Sequence, residues 1–468
     1  VFAIKRTVFA LVGALMLAGC AQPAAKPAVE SQAEPAVDAV AAGKALEDAR
    51  HPAGASQLPS GRRDYRNPAD VAADIRQIAK ARPDIVRVES LPHKTVLGKD
   101  VPAVEISHHV SASDGKPVFL LMGGIHSNEW PGVEVATEFA MDLAEHDGRD
   151  RRITALLDRV RVIVVPVVNP DGYDVSRGGD IAAKRKNCEV TPATRAQCAA
   201  AKDPETGYDT GGVDLNRNFA VNFGGVGSGA NPDDGDYHGP AAFSEPESRN
   251  IRDLVDGHQV TVEIGLHTYG DMNLHPPGQN AAPLTPDEAV YAQIGAAMAD
   301  ANGYPNKLSR DLYETSGTAE EWAYHTTGSL GFETELAGDD NHGPWEDSVP
   351  GQYLGTSKYV SGKAHGGERE ALLRDVEAAG NAQYHARITG NVAAGTKLVL
   401  TKPGTQLSTT LTAAGGAFTW DVNPSIRPGV DGRNVEESWT VSCPGRSVPV
   451  TVGRGESRAV DLSGCQSR

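Results

Sequence analysis

Val118-Phe119-Leu120-Leu121-Met122-Gly123-Gly124-Ile125-His126-Ser127-Asn128-Glu129-Trp130 decides how this chain folds. Its first five residues are apolar without a break, as in a strand buried on both faces. After Pro131 a helix is expected over 133–145. His126 and Glu129 therefore fall on a loop at a strand end, where catalytic groups are commonly held. An imidazole and a carboxylate three residues apart can reach one metal ion, and zinc accepts such N and O donors. A lone His-x-x-Glu is common by chance. It fits a surface histidine beside a solvated glutamate equally well, so the rest of the chain has to decide.

Outward from this stretch, helical and strand patterns alternate. Helices are expected over 68–81 and 286–302, and strands over 85–90, 101–108, 160–168, 260–267 and 330–336. Such alternation argues an α/β domain with a mixed, largely parallel central sheet flanked by helices, here over 61–382. His126, Asn169, His267 and Glu335 all fall at or near an expected strand end. Sites in sheets of this kind gather at the carboxyl ends of the strands.

Further motifs follow in order: Asn169-Pro170-Asp171-Gly172-Tyr173, Ala183-Lys184-Arg185-Lys186-Asn187 and Gly212-Val213-Asp214-Leu215-Asn216-Arg217-Asn218. Then come Gly265-Leu266-His267-Thr268-Tyr269, Leu312-Tyr313-Glu314-Thr315-Ser316-Gly317 and Gly331-Phe332-Glu333-Thr334-Glu335-Leu336. With His126-x-x-Glu129, this ordered set resembles the zinc metallocarboxypeptidase family, the relatives of carboxypeptidases A and B, over roughly residues 64–382.

The resemblance implies one zinc ion per chain, held by His126, Glu129 and His267, with a fourth position open as hydrolytic zinc requires. Asp214 matches the family's carboxylate behind the first histidine, which fixes ring orientation and tautomer. Glu335 matches the general base and Arg185 the arginine that stabilises the scissile carbonyl's oxyanion. Asn216 and Arg217 match the pair that binds the substrate's terminal carboxylate, and Tyr313 the mobile tyrosine that closes over it. Asn128 departs from the arginine that many relatives carry in the first motif, which bears on subsites further from the cut.

Specificity is expected at Glu320, seven residues beyond Tyr313, where the family places the base of its side-chain pocket. Glu333 shares a strand face with Glu335. Leu274, Gly278 and Leu308 are expected as the walls, with Gly278 leaving room for a long side chain. An acidic base implies a preference for C-terminal Lys or Arg. The alternative turns Glu320 outward beside Glu321 on a solvated helix face. Other readings of the chain are a hydrolase of cell-wall stem peptides on the same fold and a peptide-binding pseudoenzyme.

The ends of the chain carry different signals. Lys5 and Arg6 precede an apolar run that ends in Leu17-Ala18-Gly19-Cys20, which reads as a signal peptide over 1–19 and a lipidated Cys20. Ala and Pro dominate the residues that follow, so 20–60 reads as a flexible tether. Short strands with Gly, Pro and Asn between them suggest an accessory β-sandwich over 383–468. Cys188, Cys198, Cys443 and Cys465 allow three pairings, and locality favours Cys188–Cys198 and Cys443–Cys465. The formal charge is −17 over 468 residues, which argues against a general nucleic-acid binder. The partners expected are peptide C-termini, with a membrane reached only through Cys20. The location expected is a bacterial cell envelope.

Overall fold

Eight strands form the central sheet in the computed structural model, which describes residues 37–51, 55–203, 209–360 and 362–465. The expected signal peptide, Cys20 and the first part of the tether lie outside the described residues. The strands are β1 (Val86–Ser90), β2 (Pro102–Ile106), β3 (Val118–Met122), β4 (Arg161–Val165), β5 (Val260–Thr268), β6 (Met272–His275), β7 (Asn306–Leu308) and β8 (Leu330–Leu336). Their order is β1-β2-β4-β3-β5-β8-β6-β7. The middle pairs β4–β3, β3–β5 and β5–β8 are parallel, while β1–β2, β2–β4 and β6–β8 are antiparallel.

Period-two alternation splits β3 between two apolar layers. Phe119 and Leu121 join the helices Pro68–Ala81, Trp130–His146, Glu288–Asn302 and Gly367–Ala379 on one face. Val118, Leu120 and Met122 face Pro246–Gly257 and Ala319–Thr327 on the other. Both layers are buried, which is why these strands read as unbroken apolar runs. The helix after the first motif begins at Trp130, earlier than the pattern suggests, so Glu129 occupies its N-cap position. Strand β4 ends at Val165, and 166–168 leave the sheet to bring Asn169 to the next helix as its cap, where it accepts from the Gly172 amide.

The tether reading fails over Ala39–Arg50, which form a helix capped by Asp38. Leu46 is buried, and Arg50 donates to the Pro59 carbonyl at 3.2 Å and pairs with Glu145 at 3.5 Å. A Cβ on Gly43 would meet the Glu145 carbonyl oxygen at 2.1 Å, so glycine allows the two helices to lie this close. Alanine is the best helix former. Composition could not show that a neighbouring helix supplies the partner face.

Beyond residue 385 two small sheets share one core. Ser408–Thr412, Lys397–Thr401, Trp439–Cys443 and Arg446–Val450 form one sheet; Gly416–Val422, Ala386–Val392 and Ser457–Ala459 form the other. Leu398, Leu400, Trp420, Trp439 and Val441 fill the space between them. This β part and the catalytic sheet belong to one compact unit, Pro35–Arg468. One seam runs along 113–115, where the Ser113 and Gly115 carbonyls accept from the Thr412 and Asp421 amides at 2.7 and 3.1 Å. Gln259, just before β5, accepts from the Asn423 amide at 2.8 Å. The disulfides join Cys188 to Cys198 and Cys443 to Cys465, the local pairing. Among the described residues no helix is long and apolar enough to cross a membrane.

Candidate metal centre and substrate cavity

Three buried donors converge where β3 and β5 end. His126 Nδ1 lies 2.9 Å from Glu129 Oε1, and His267 Nδ1 lies 3.0 Å from both Glu129 Oε2 and His126 Nδ1. Two imidazole nitrogens facing each other across 3.0 Å cannot both carry a proton, and a carboxylate has none to give. Ligands about 2.0–2.1 Å from a tetrahedral zinc ion sit roughly 3.3 Å apart, so the cluster fits such an ion. The charges agree. Burial disfavours the His267 cation, yet Glu129 and Glu333 outweigh it and push the ring up to about 9. Among the described residues, this is the group of His, Cys, Asp and Glu side chains that could hold a metal.

The supporting bonds fix each donor. His126 Nε2 faces Asp214 Oδ1 at 3.1 Å, which leaves the Nδ1 lone pair for the metal. The Thr268 amide donates to Glu129 Oε2 at 3.2 Å. Asp214 caps the short 3-10 helix Leu215–Arg217 and accepts Arg185 Nε on its other oxygen at 3.0 Å. Burial opposes the Asp214 anion, but Arg185 and His126 hold it well below the usual carboxylate range. Arg185 also lies 3.5 Å from Glu129 Oε1.

Its basic neighbours have a different task. Lys184 is buried and donates to Asp209 at 3.0 Å and to the Gly211 carbonyl at 2.7 Å. Lys186 donates to the Pro232 and Asp234 carbonyls at 2.8 and 2.7 Å. Alternate residues thus anchor the segment and leave Arg185 facing the cavity.

That cavity is about 150 Å³ and is lined by the three ligands together with Arg185, Asn216, Arg217, Tyr313, Glu333 and Glu335. Register explains the last two: on adjacent parallel strands His267 pairs with Glu335 and Gly265 with Glu333. The Glu335 carboxyl is pushed up to about 7, first by burial, then by the Glu129 and Glu333 charges, against His267 and Arg185. A base poised near neutrality suits proton transfer. Arg217 is held by the Gly227 and Asn216 carbonyls, each at 2.8 Å, with its guanidinium 6.0 Å from the Tyr313 ring centre. Asn216 donates to Glu333 and accepts from the Ala319 amide at 3.0 Å.

The pocket expected from the sequence is only partly assembled. Leu274 and Glu333 line the cavity; Glu320, Gly278 and Leu308 do not. Glu320 is not turned to solvent either: it is buried beneath Glu333 and hydrogen-bonded to it. Two carboxyls can share such a bond only if one keeps its proton. Burial and the Glu333 charge raise Glu320 well above the usual range, which favours its neutral form beside the Glu333 anion. Gly278 is needed for packing, because a Cβ there would meet Thr315 Oγ1 at 2.3 Å. Leu308 ends β7, opposite His275, away from the cavity. Tyr269, Leu312, Thr315 and Asn341 also line the cavity and were not singled out from the sequence. Tyr269, Leu312 and Thr315 lie within the quoted motifs, beside His267 and Tyr313; Asn341 carries no local signal.

A family model described as zinc carboxypeptidase matches residues 71–349. Carboxypeptidase A2 of Mus musculus is 32% identical over 235 residues, which are 48% of this chain and 52% of that protein. Carboxypeptidase B of Bos taurus is 25% identical over 288 residues, 60% of this chain and 64% of that protein. The chain thus spans about half the length of the first of these curated relatives and under two thirds of the second. Among solved structures, carboxypeptidase A from Helicoverpa armigera is similar, with a TM-score of 0.55 and 25% identity over 72% of this chain and 79% of that one.

Proposed function

The chain belongs to the zinc carboxypeptidase family, and on that premise we propose that it removes the C-terminal residue of peptides. The observation that carries this reading is a single cavity shared by the zinc ligands, Glu335 and a carboxylate-binding end. Zinc bound by His126, Glu129 and His267 supplies a Lewis acid that polarises a carbonyl and acidifies water. Arg217 and Asn216 orient a free terminal carboxylate, and Tyr313, on the rim, covers it. An internal peptide bond would leave these donors without a partner, so the site selects chain ends. The Glu335 carboxylate takes the proton of the attacking water and returns it to the leaving amine. Arg185, fixed by Asp214, faces the developing oxyanion. A pseudoenzyme would be expected to have lost one of these groups.

The side-chain preference rests on Glu333. Its carboxylate lines the cavity and stays below the usual range, since His267, Glu320, Asn216 and Arg217 together outweigh the cost of burial. A C-terminal Lys or Arg would pair with that anion, and Phe or Leu could not. Glu333 already has partners in Asn216 and His267, so the gain from Lys or Arg is that of one added charge-assisted bond, about 1.5–3 kcal/mol, or roughly 10–100-fold. The test is kcat/KM on matched peptides ending in Arg, Lys, Phe and Leu, repeated in Glu333→Gln, where the advantage of Arg and Lys should be lost. Equal or faster release of Phe by the wild type would reject the preference. Lipidation at Cys20 and a place in a bacterial cell envelope complete the proposal, supported by Leu17-Ala18-Gly19-Cys20. Mass spectrometry of the mature N-terminus tests them.

A further inference from the structure

The helix Ala319–Thr327 begins behind Asn216 and Glu333, which line the substrate cavity, and ends against the β part. At its start, the Ala319 amide donates to Asn216 Oδ1, and Glu320 underlies Glu333. Glu321 accepts from the Gly278 amide at 3.4 Å. At its end the last carbonyls have no partner within the helix, as at any helix C-terminus. Residues of the β part supply them. Arg427 donates to the His325 carbonyl at 2.6 Å, Lys402 to Thr326 at 3.1 Å and Arg454 to Gly328 at 3.0 Å.

These cations are themselves fixed. Glu437 binds Arg427 through both oxygens at 3.0 and 2.7 Å and also pairs with Lys402. Arg454 grips Asp287 through two bonds of 2.9 Å, and Asp287 accepts from Tyr324, on the same helix, at 3.1 Å. The His325 ring lies 3.1 Å from the Pro428 carbonyl. Gly328, at φ +81, has no room for a Cβ because Pro424 would stand 2.8 Å from it. Cations at a helix C-terminus favour the macrodipole, and a nine-residue helix is a rod of roughly 14 Å with little give along its axis. A shift at one end therefore moves the other.

We propose that the β part positions the floor of the specificity cavity, acting through the helix Ala319–Thr327, with Lys402, Arg427 and Arg454 as the positioning residues. None of the three touches substrate. They set where Glu320, and through it Glu333, stands beneath the substrate's C-terminal side chain. The proposal rests on the carboxypeptidase reading above and adds to it a specificity role for the β part. The seam at 113–115 and Gln259 joins the same two parts without touching this helix, so it provides the control.

The test compares Arg427→Met, Arg427→Lys and Gln259→Ala in the zinc-loaded full chain, using peptides that differ only in the last residue. Arg427→Met is expected to raise KM for the preferred peptide roughly tenfold, the effect of one lost charge-assisted bond, with kcat within about twofold. The preference among C-terminal residues shrinks accordingly. Arg427→Lys restores most of it, and Gln259→Ala lowers Tm without changing it. A preference unchanged in Arg427→Met, or equally changed in Gln259→Ala, overturns the proposal. If Arg427→Met does not fold, Glu437→Gln decides by the same criteria, since its carboxylate orients both Arg427 and Lys402. If the wild type releases no C-terminal residue, the proposed activity fails on its own. Amide exchange then tests the coupling: protection over 316–321 falls in Arg427→Met and holds in Gln259→Ala, and the reverse refutes it.

Discussion

The parallel strands β3 and β4 carry a buried charged cluster at each end, and the two clusters are built on opposite rules. At the amino end, Arg161 pairs with Glu105 and donates to the Val110 and Ala112 carbonyls at 2.8 and 2.7 Å. Lys116 donates to Ser107, His108 and Leu157 at 3.0, 2.7 and 3.2 Å. Each cation is closed off by acceptors. At the carboxyl end, His126, Glu129 and His267 turn lone pairs toward one point, with Glu335 poised nearby. The amino-end cavity is the larger, about 200 Å³ against about 150 Å³. Size therefore does not mark a site. Lone pairs that converge on one point do, because acceptors facing each other with no hydrogen between them repel unless a cation joins them.

The contrast can be broken most forcefully by removing the ion. Exhaustive chelation should abolish peptide hydrolysis and added zinc should restore it, followed by release of the C-terminal residue; full activity without metal would end the zinc reading. Glu335→Gln comes next. Here kcat should fall by roughly 10²–10⁴ with KM little changed and the fold intact. Steady-state kinetics beside a melting curve separates the two effects.

Arg161→Met should do the opposite. Glu105 would keep Arg87 on one oxygen but lose its partner on the other, so stability should drop by about 2–3 kcal/mol, read by urea unfolding. Turnover per folded molecule should not change, and a large fall in kcat would show that the two ends are not independent. Asp214→Asn gives a smaller effect on the catalytic side. The supporting bond to His126 weakens and Arg185 loses its anchor, which should cost roughly 10–100-fold in zinc affinity or activity.

The smallest effect is a pH dependence at the closed end. Asp147 accepts from Arg82 at 2.7 Å and lies 2.9 Å from His108 Nε2. Burial raises its carboxyl, but His108 and Arg82 outweigh it and pull it from 3.8 down to about 2. The sign follows from proton linkage. A depressed carboxylate stabilises the fold above its unfolded value, and that stability is lost as the pH falls through the folded value. The advantage of wild type over Asp147→Asn should therefore shrink by about 2 kcal/mol between roughly pH 4 and 2. His108 is raised, first by its bond to Asp147, so its share is present below about 6.5 and lost as the pH rises through the folded value. Unfolding curves at three pH values would expose either error of sign.

Much of this was legible in the chain because the signals are local. The unbroken apolar run of β3, the alternation of helix and strand, and the motif order all act over a few residues. They placed His126, Asn169, His267 and Glu335 at or near strand ends, while the roles of Glu129, Asp214 and Arg185 came from the resemblance to a family. The pocket was less legible. Glu320 lies under Glu333 rather than in the wall, and Gly278 answers to Thr315. Spacing along the chain gives the neighbourhood of such residues but not the depth at which a side chain stops.

The sequence by itself determined the alternation behind the sheet, the His126-x-x-Glu129 motif, a preference for local disulfides and the presence of a separate run of short strands, and the third ligand, His267, followed from the family resemblance. These depend on periodicity, residue chemistry and short separations. Only the tertiary structure decided that Ala39–Arg50 is a packed helix, that Glu320 is buried against Glu333, and that Lys402, Arg427 and Arg454 cap a helix far from them in sequence. The bonds from Lys402, Arg427 and Arg454 join residues 76, 102 and 126 positions apart. A lysine or arginine in a short strand or the turn after it looks the same whether it faces water or a carbonyl. Which of the two it meets is fixed by how the two parts dock, and no local pattern in the chain records that.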